Sequence, residues 1–310
     1  MNAFITDDGR LRVGWRFAFS VISVVFADVT AGNLALLFAG QHRRAGEFVG
    51  LLLLVFLLLV CFVFLAKVLD QPAIGVFTYI GLPRRHWLRE TLSGALLGFV
   101  LIFLAVMITA LFFHYHITRV ALTPRTLEIP PLVVCALLAG AMAEELIFRG
   151  YPFQRLVEGL GNVGAIIVLS ALFGAVHLHN PHVADNRTVE VFAFCNTLLI
   201  GIVFAIAYLR TRALWFPWGL HFAWNITMGL IFGIPVSGLT DFSVLVKARV
   251  GGPAWFLGGA YGFEGGMLGT IVIALGLTYV VIFVRPAAAR TAPPQLNEPG
   301  GSSIQPTGNL

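Results

Sequence analysis

PLVVCALLAGAMAEELIFR, residues 131–149, runs thirteen apolar or small residues into Glu144-Glu145 and closes on Arg149. A charged side chain near the bilayer centre costs about 2.5–3.5 kcal/mol on insertion scales, and adjacent carboxylates repel each other as well. Packing does not motivate that cost. Three charges in six residues inside an apolar run point to chemistry or to a buried ion site.

Outward from this stretch the chain keeps the same character. Its 310 residues are 58% hydrophobic and 11% charged, with a mean hydropathy of +0.88. A soluble domain carries about 25% charged residues. Apolar runs near the ~20 residues needed to span a bilayer occur eight times, at roughly 15–39, 47–69, 92–113, 131–149, 163–180, 189–209, 213–234 and 265–284. They lack the short alternation of an outer-membrane barrel, so helices are the reading. The expected fold is all-α: a polytopic membrane bundle of about eight transmembrane helices. The first run is too long for a signal-peptide core and reads as a retained helix.

Charge placement sets the expected topology. With the N-terminus inside, thirteen Lys and Arg fall on inner segments. Seven fall on outer ones: Arg43, Arg44, Arg119, Arg125, Arg187, Lys247 and Arg249. An inner excess is what membrane insertion favours, so the net charge of +5 reports topology and not nucleic acid. Both termini are expected in the cytoplasm, the plasma or inner membrane being the location in a bacterium. Residues 1–12 read as a polar lead, 13–285 as one transmembrane domain with its motif core at 130–230, and 286–310 as a disordered tail. Residues 150–162 read as a cytoplasmic extension of the fourth helix, 114–130 as an outer loop, and 235–264 as a long Gly-rich loop. Cys61, Cys135 and Cys195 match no Cys-x-x-Cys spacing and read as small core residues.

Residues four apart on a helix share a face. Arg149 can therefore pair with Glu145, whereas Glu144 lies about 100° further round and needs another partner. Two carboxylates against one cation leave one suited to act as a general base. Later helices carry Phe173-x-x-x-His177 and His221-x-x-x-Asn225, the second pair again on one face. Glu, His, His and Asn converging in a cavity would hold a water, or a divalent metal such as zinc at Glu144, His177 and His221. Taken singly, each is ordinary: an intramembrane His is usually a helix–helix hydrogen bond, Asn225 interhelical glue, Phe173 core, Glu145–Arg149 a structural pair. His179 and His182 read as interfacial histidines, and Asp28 has no obvious partner.

In order on successive helices, Glu144-Glu145-x-x-x-Arg149, Phe173-x-x-x-His177 and His221-x-x-x-Asn225 resemble the three motifs of the CPBP family, the CAAX prenyl proteases and bacteriocin-processing or self-immunity proteins. The resemblance covers about 130–230 and includes the stretch Leu214-Trp215 through Asn225. It implies an intramembrane endopeptidase, either glutamate-dependent or a metalloprotease, that acts on a membrane protein or lipidated peptide. It also implies roles: Glu144 and His177 activate a water, His221 and Asn225 stabilise the oxyanion, and Glu145, Arg149 and Phe173 support the site. Two other readings remain open at this point. One is a non-catalytic scaffold or immunity factor of the same fold; the other is an ion-coupled carrier, disfavoured by the absence of internal repeats.

The helix ends pose a difficulty. Glu144 lies about 14 residues (~21 Å) inward from the outer end of its helix, and His177 about as far outward from the inner end of a helix starting at 163. In a ~30 Å core those depths differ by roughly 12 Å. A helix that starts earlier, or tilts, would bring them level.

Overall fold

The structure, a computed structural model, describes residues 4–6, 11–39 and 43–287. The C-terminal tail from 288, and residues 1–3 and 7–10 of the lead, lie outside the described residues. Eight helices form the bundle: α1 (Val13–Ala39), α2 (Arg43–Leu65), α4 (Trp87–Phe112), α6 (Pro130–Arg149), α7 (Tyr151–His177), α8 (Arg187–Thr211), α9 (Trp215–Ile226) and α11 (Met267–Phe283). Short helical turns intervene as α3 (Val76–Tyr79), α5 (Pro124–Leu127) and α10 (Ala254–Leu257). Five stretches are long and apolar enough to cross a membrane: 13–37, 46–70, 87–112, 130–177 and 187–211, the fourth containing both α6 and α7. The protein is an integral membrane helical bundle. Leu36, Leu37, Leu111 and Phe112, all at least 74% exposed, show the apolar outer surface that such a bundle turns to lipid.

Three departures from the sequence reading matter for the site. Residues 150–162 do not extend the fourth helix. Gly150 breaks it, and a Cβ there would sit 2.4 Å from the Leu146 carbonyl oxygen. Pro152 then opens α7, a position where its missing N–H costs nothing. Helix α7 therefore starts at Tyr151, twelve residues before the run read from hydropathy, with a break at Gly161 (φ 71°). Starting lower, it carries His177 to the level of Glu144, which removes the depth difficulty.

Second, the bundle is not purely helical. The expected outer loop contains β1 (His114–Val120), and the expected Gly-rich loop contains β2 (Val246–Gly251); the two pair antiparallel. Third, only Cys61 is partly buried, whereas Cys135 and Cys195 lie exposed on the bundle's outer surface, so the reading of all three as core residues is corrected. Asp28 is also exposed, on α1, and nothing in the structure explains it.

Helix α9 is only twelve residues long and ends in a π turn, Thr227–Ile231. Glycines hold it close to α4. A Cβ on Gly94 would lie 2.1 Å from the Phe216 carbonyl oxygen, one on Gly98 2.5 Å from that of Leu220, and one on Gly219 2.1 Å from that of Thr91. Small residues four apart allow such backbone approach in membranes. Trp215 Nε1 donates to the Pro83 carbonyl (2.7 Å) and Trp218 Nε1 to that of Leu138 (2.9 Å), fixing the start of α9 against α6 and the 80s segment.

At one end of the bundle, α1, α2 and α7 are clasped by ions. Asp70 accepts hydrogen bonds from Arg16, from Arg155 (2.6 Å) and from the Tyr151 hydroxyl (2.7 Å). Glu158 pairs with Arg16 at 2.9 Å and with Arg155 at 2.8 Å. Arg155, 1% exposed, also lies over the Tyr151 and Tyr79 rings.

Candidate active site

The four polar residues singled out on α6, α7 and α9 line one cavity of about 410 Å³: Glu144, His177, His221 and Asn225. Phe173 lines it too. Glu145 and Arg149 do not; they lie behind it, 0% and 2% exposed at the side chain.

The two neighbouring carboxylates differ in surroundings. Arg149 Nη1 donates to Glu145 Oε1 at 3.3 Å, the i,i+4 contact expected on one helix face. The same oxygen is 2.9 Å from His221 Nδ1, so Glu145 ties α6 to α9. Arg149 completes its neutralisation within an aromatic box, lying 4.6 Å from the Phe173 ring centre and 4.9 Å from that of Phe204, while Nη2 donates to the Gly201 carbonyl (3.3 Å). Glu144 has no such setting. Its side chain is 37% exposed to the cavity, and its Oε2 makes no hydrogen bond; His221 Nε2 stands 3.6 Å away. A polar atom enclosed without a partner is uncommon and asks for a functional reason.

The histidine rings are oriented through their Nδ1 atoms. His177 Nδ1 lies 2.8 Å from the Phe173 carbonyl oxygen, which only a ring N–H satisfies, leaving Nε2 as the other ring atom. The Phe173 ring, 4.5 Å from His177 between centroids, thus braces both His177 and Arg149. Phe204 stacks on His221 at 5.0 Å.

Glu144, His177 and His221 share the cavity wall. Among the described residues, no three His, Cys, Asp or Glu side chains converge closely enough to hold a metal ion. His179 and His182 do not line the cavity, and His182 instead pairs with Asp185 at 2.8 Å.

A second carboxylate on the cavity wall was missed from sequence. Glu264 accepts from Trp224 Nε1 (2.8 Å) and from the Ser237 backbone N–H (2.7 Å) and hydroxyl. Ser237 sits at φ 46°, an uncommon conformation for a side-chain-bearing residue. Asn196 on α8 donates to the Glu264 and Gly266 carbonyls, both at 2.9 Å. These contacts hold Val236, Ser237, Leu239, Phe242 and Glu264 of the 235–264 segment on the cavity wall. An amide in the middle of an apolar span was a legible signal for Asn196; an acid in a Gly-rich loop gave none. Nearby, burial first and the Glu264 charge second push the Tyr261 hydroxyl above the ordinary tyrosine range, so it stays neutral.

Residues 125–227, which contain all three motifs, match a family described as Type II CAAX prenyl endopeptidase Rce1-like. The match covers the motif-bearing core, about a third of the chain. A Bacillus subtilis (strain 168) protein named "Putative membrane peptidase YdiL" is 27% identical over 125 residues, covering 40% of this chain. The chain spans about half (47%) of that relative's length. No solved structure matches the chain.

Proposed function

We propose that the protein is an intramembrane endopeptidase that hydrolyses a peptide bond in a membrane-associated protein or lipidated peptide. The observation that carries this reading is the contrast between the two adjacent carboxylates: Glu145 is fully buried against Arg149 and His221, whereas Glu144 lines the cavity, 37% exposed, with His221 no closer than 3.6 Å.

The chemistry follows from those positions. A water in the cavity gives its proton to Glu144, with His177 Nε2 as a second acceptor holding it. The resulting hydroxide attacks the substrate carbonyl. The Asn225 amide donates to the oxyanion that forms, and His221, its Nδ1 proton held by Glu145, donates from Nε2 when that nitrogen is protonated too. Glu144 then returns the proton to the leaving amine. Leu51 of α2 and Ala136, Leu137 and Gly140, on α6 like Glu144, offer an apolar lining for a membrane-embedded segment.

The test is cleavage of a membrane-anchored reporter by wild-type protein and by Glu144→Gln, normalised to folded protein. Loss of cleavage with uncut partners trapped on the variant supports the reading. Normal cleavage by Glu144→Gln removes this site from the reaction and leaves a scaffold role.

A further inference from the structure

The two-stranded β1–β2 ribbon takes no part in the site above, yet it concentrates cations. Its register pairs His114 with Gly251, His116 with Arg249, and Arg119 with Lys247. These rungs share one face. The alternate rungs, Tyr115–Val250, Ile117–Ala248 and Val120–Val246, form the other. A one-residue offset after Ile117 keeps Arg119 on the basic face. Neither strand contains an acid. Among the described residues, Arg119, Lys247 and Arg249 make no ion pair. Like charges directly across a strand pair are destabilising, and Arg119 opposite Lys247 is such a pair.

Beside that pair lies a second cavity of about 230 Å³, lined by Arg119, Lys247, Thr126, Thr240 and Ser243, with Asp241 its one carboxylate. Two cations and the Thr240 and Ser243 hydroxyls around a small concavity suit a phosphate, the Thr126 hydroxyl being given to the Ala121 and Thr123 carbonyls. The surroundings identify its source. Val120 (55%) and Leu122 (67%) stand exposed, flanking the lining residue Ala121 in the chain. A phosphate pocket bordered by apolar surface matches an amphiphile.

We propose that the Arg119–Lys247 pocket binds the phosphate of an anionic phospholipid headgroup. Its acyl chains cover the neighbouring apolar side chains, and Arg249 and His116 on the next rung add to the attraction. This site is separate from the hydrolytic cavity and does not depend on the reading of that cavity.

The full-length protein in nanodiscs of phosphatidylcholine, with or without phosphatidylglycerol, tests it. Photoactivatable phosphatidylglycerol should crosslink to peptides covering 114–127 and 240–251. Native mass spectrometry should show phosphatidylglycerol retained over phosphatidylcholine. R119Q/K247Q should lower that preference by about 30-fold, since each cation at an anionic surface is worth roughly 1 kcal/mol. R187Q should leave it unchanged, because Arg187 pairs with Glu190 on α8. Crosslinks elsewhere, or an undiminished preference in R119Q/K247Q, overturn the proposal. So does full competition by inorganic phosphate, which would mark a soluble-anion site. Should R119Q/K247Q fail to fold, the wild-type crosslink map decides.

Discussion

Asp70 and Glu158 face Arg16 and Arg155 at one end of the bundle, while Glu144 and Glu145 face Arg149 and His221 further in. The first cluster is balanced, two acids against two arginines, and Asp70 spends both oxygens on hydrogen bonds. The second has one arginine for two acids, and each acid keeps an oxygen without a partner. Balance closes the first cluster to outside chemistry; imbalance beside a cavity leaves the second able to take a proton. Buried charge alone therefore does not mark the site. What marks it is incomplete neutralisation next to open space.

Each arm of this comparison can be broken separately. Glu144→Gln keeps the shape and cannot accept a proton, so reporter hydrolysis should fall by the ~10²–10⁴ typical of lost acid–base catalysis. Its abundance and Tm should stay near wild type; a Tm drop with unaltered cleavage would assign Glu144 to the structural class. Asp70→Asn should do the opposite. It leaves Arg16 and Arg155 only Glu158, and removing one partner from a buried cluster costs about 3–5 kcal/mol. Denaturation in detergent should show that loss, with cleavage per folded molecule unchanged.

Glu145→Gln sharpens the contrast, because Glu145 belongs to both classes. It should lower stability, since Arg149 stays buried without its counter-charge, and also lower cleavage, since His221 loses the carboxylate charge at Nδ1. A Glu145→Gln protein that is stable but inert would reverse the roles of the two carboxylates. Gly98→Ala should cost about 1–3 kcal/mol as overpacking against α9, with a smaller loss of cleavage; thermal melts and the reporter assay read both. The smallest effect belongs to Cys135→Ala, exposed and free, which should change stability by less than about 0.5 kcal/mol.

The order of helices and the partner of Arg149 were legible because both are local. Hydropathy locates a span, and a four-residue spacing places Glu145 and Arg149 on one face. Gly150 and Pro152 were legible in kind, yet their effect was misread: they end α6 at Arg149 and start α7 early. The His221–Glu145 contact joins residues 76 apart and the Arg155–Asp70 contact residues 85 apart. No periodicity reports such pairs. Asp70, the centre of a clasp, is equally silent in the sequence.

By itself the sequence determined that this chain lives in lipid, that its core is helical, and which charges share a helix face, because spacing and apolar run length act within one helix. Only the tertiary structure decided the level at which His177 meets Glu144. It also decided that Glu264 lines the cavity, that two distant loop segments pair as a basic two-stranded ribbon, and that the two acidic clusters differ in balance. Those outcomes depend on helix depth and on which backbones approach one another, set by glycine contacts and buried charge pairs between segments far apart in the chain.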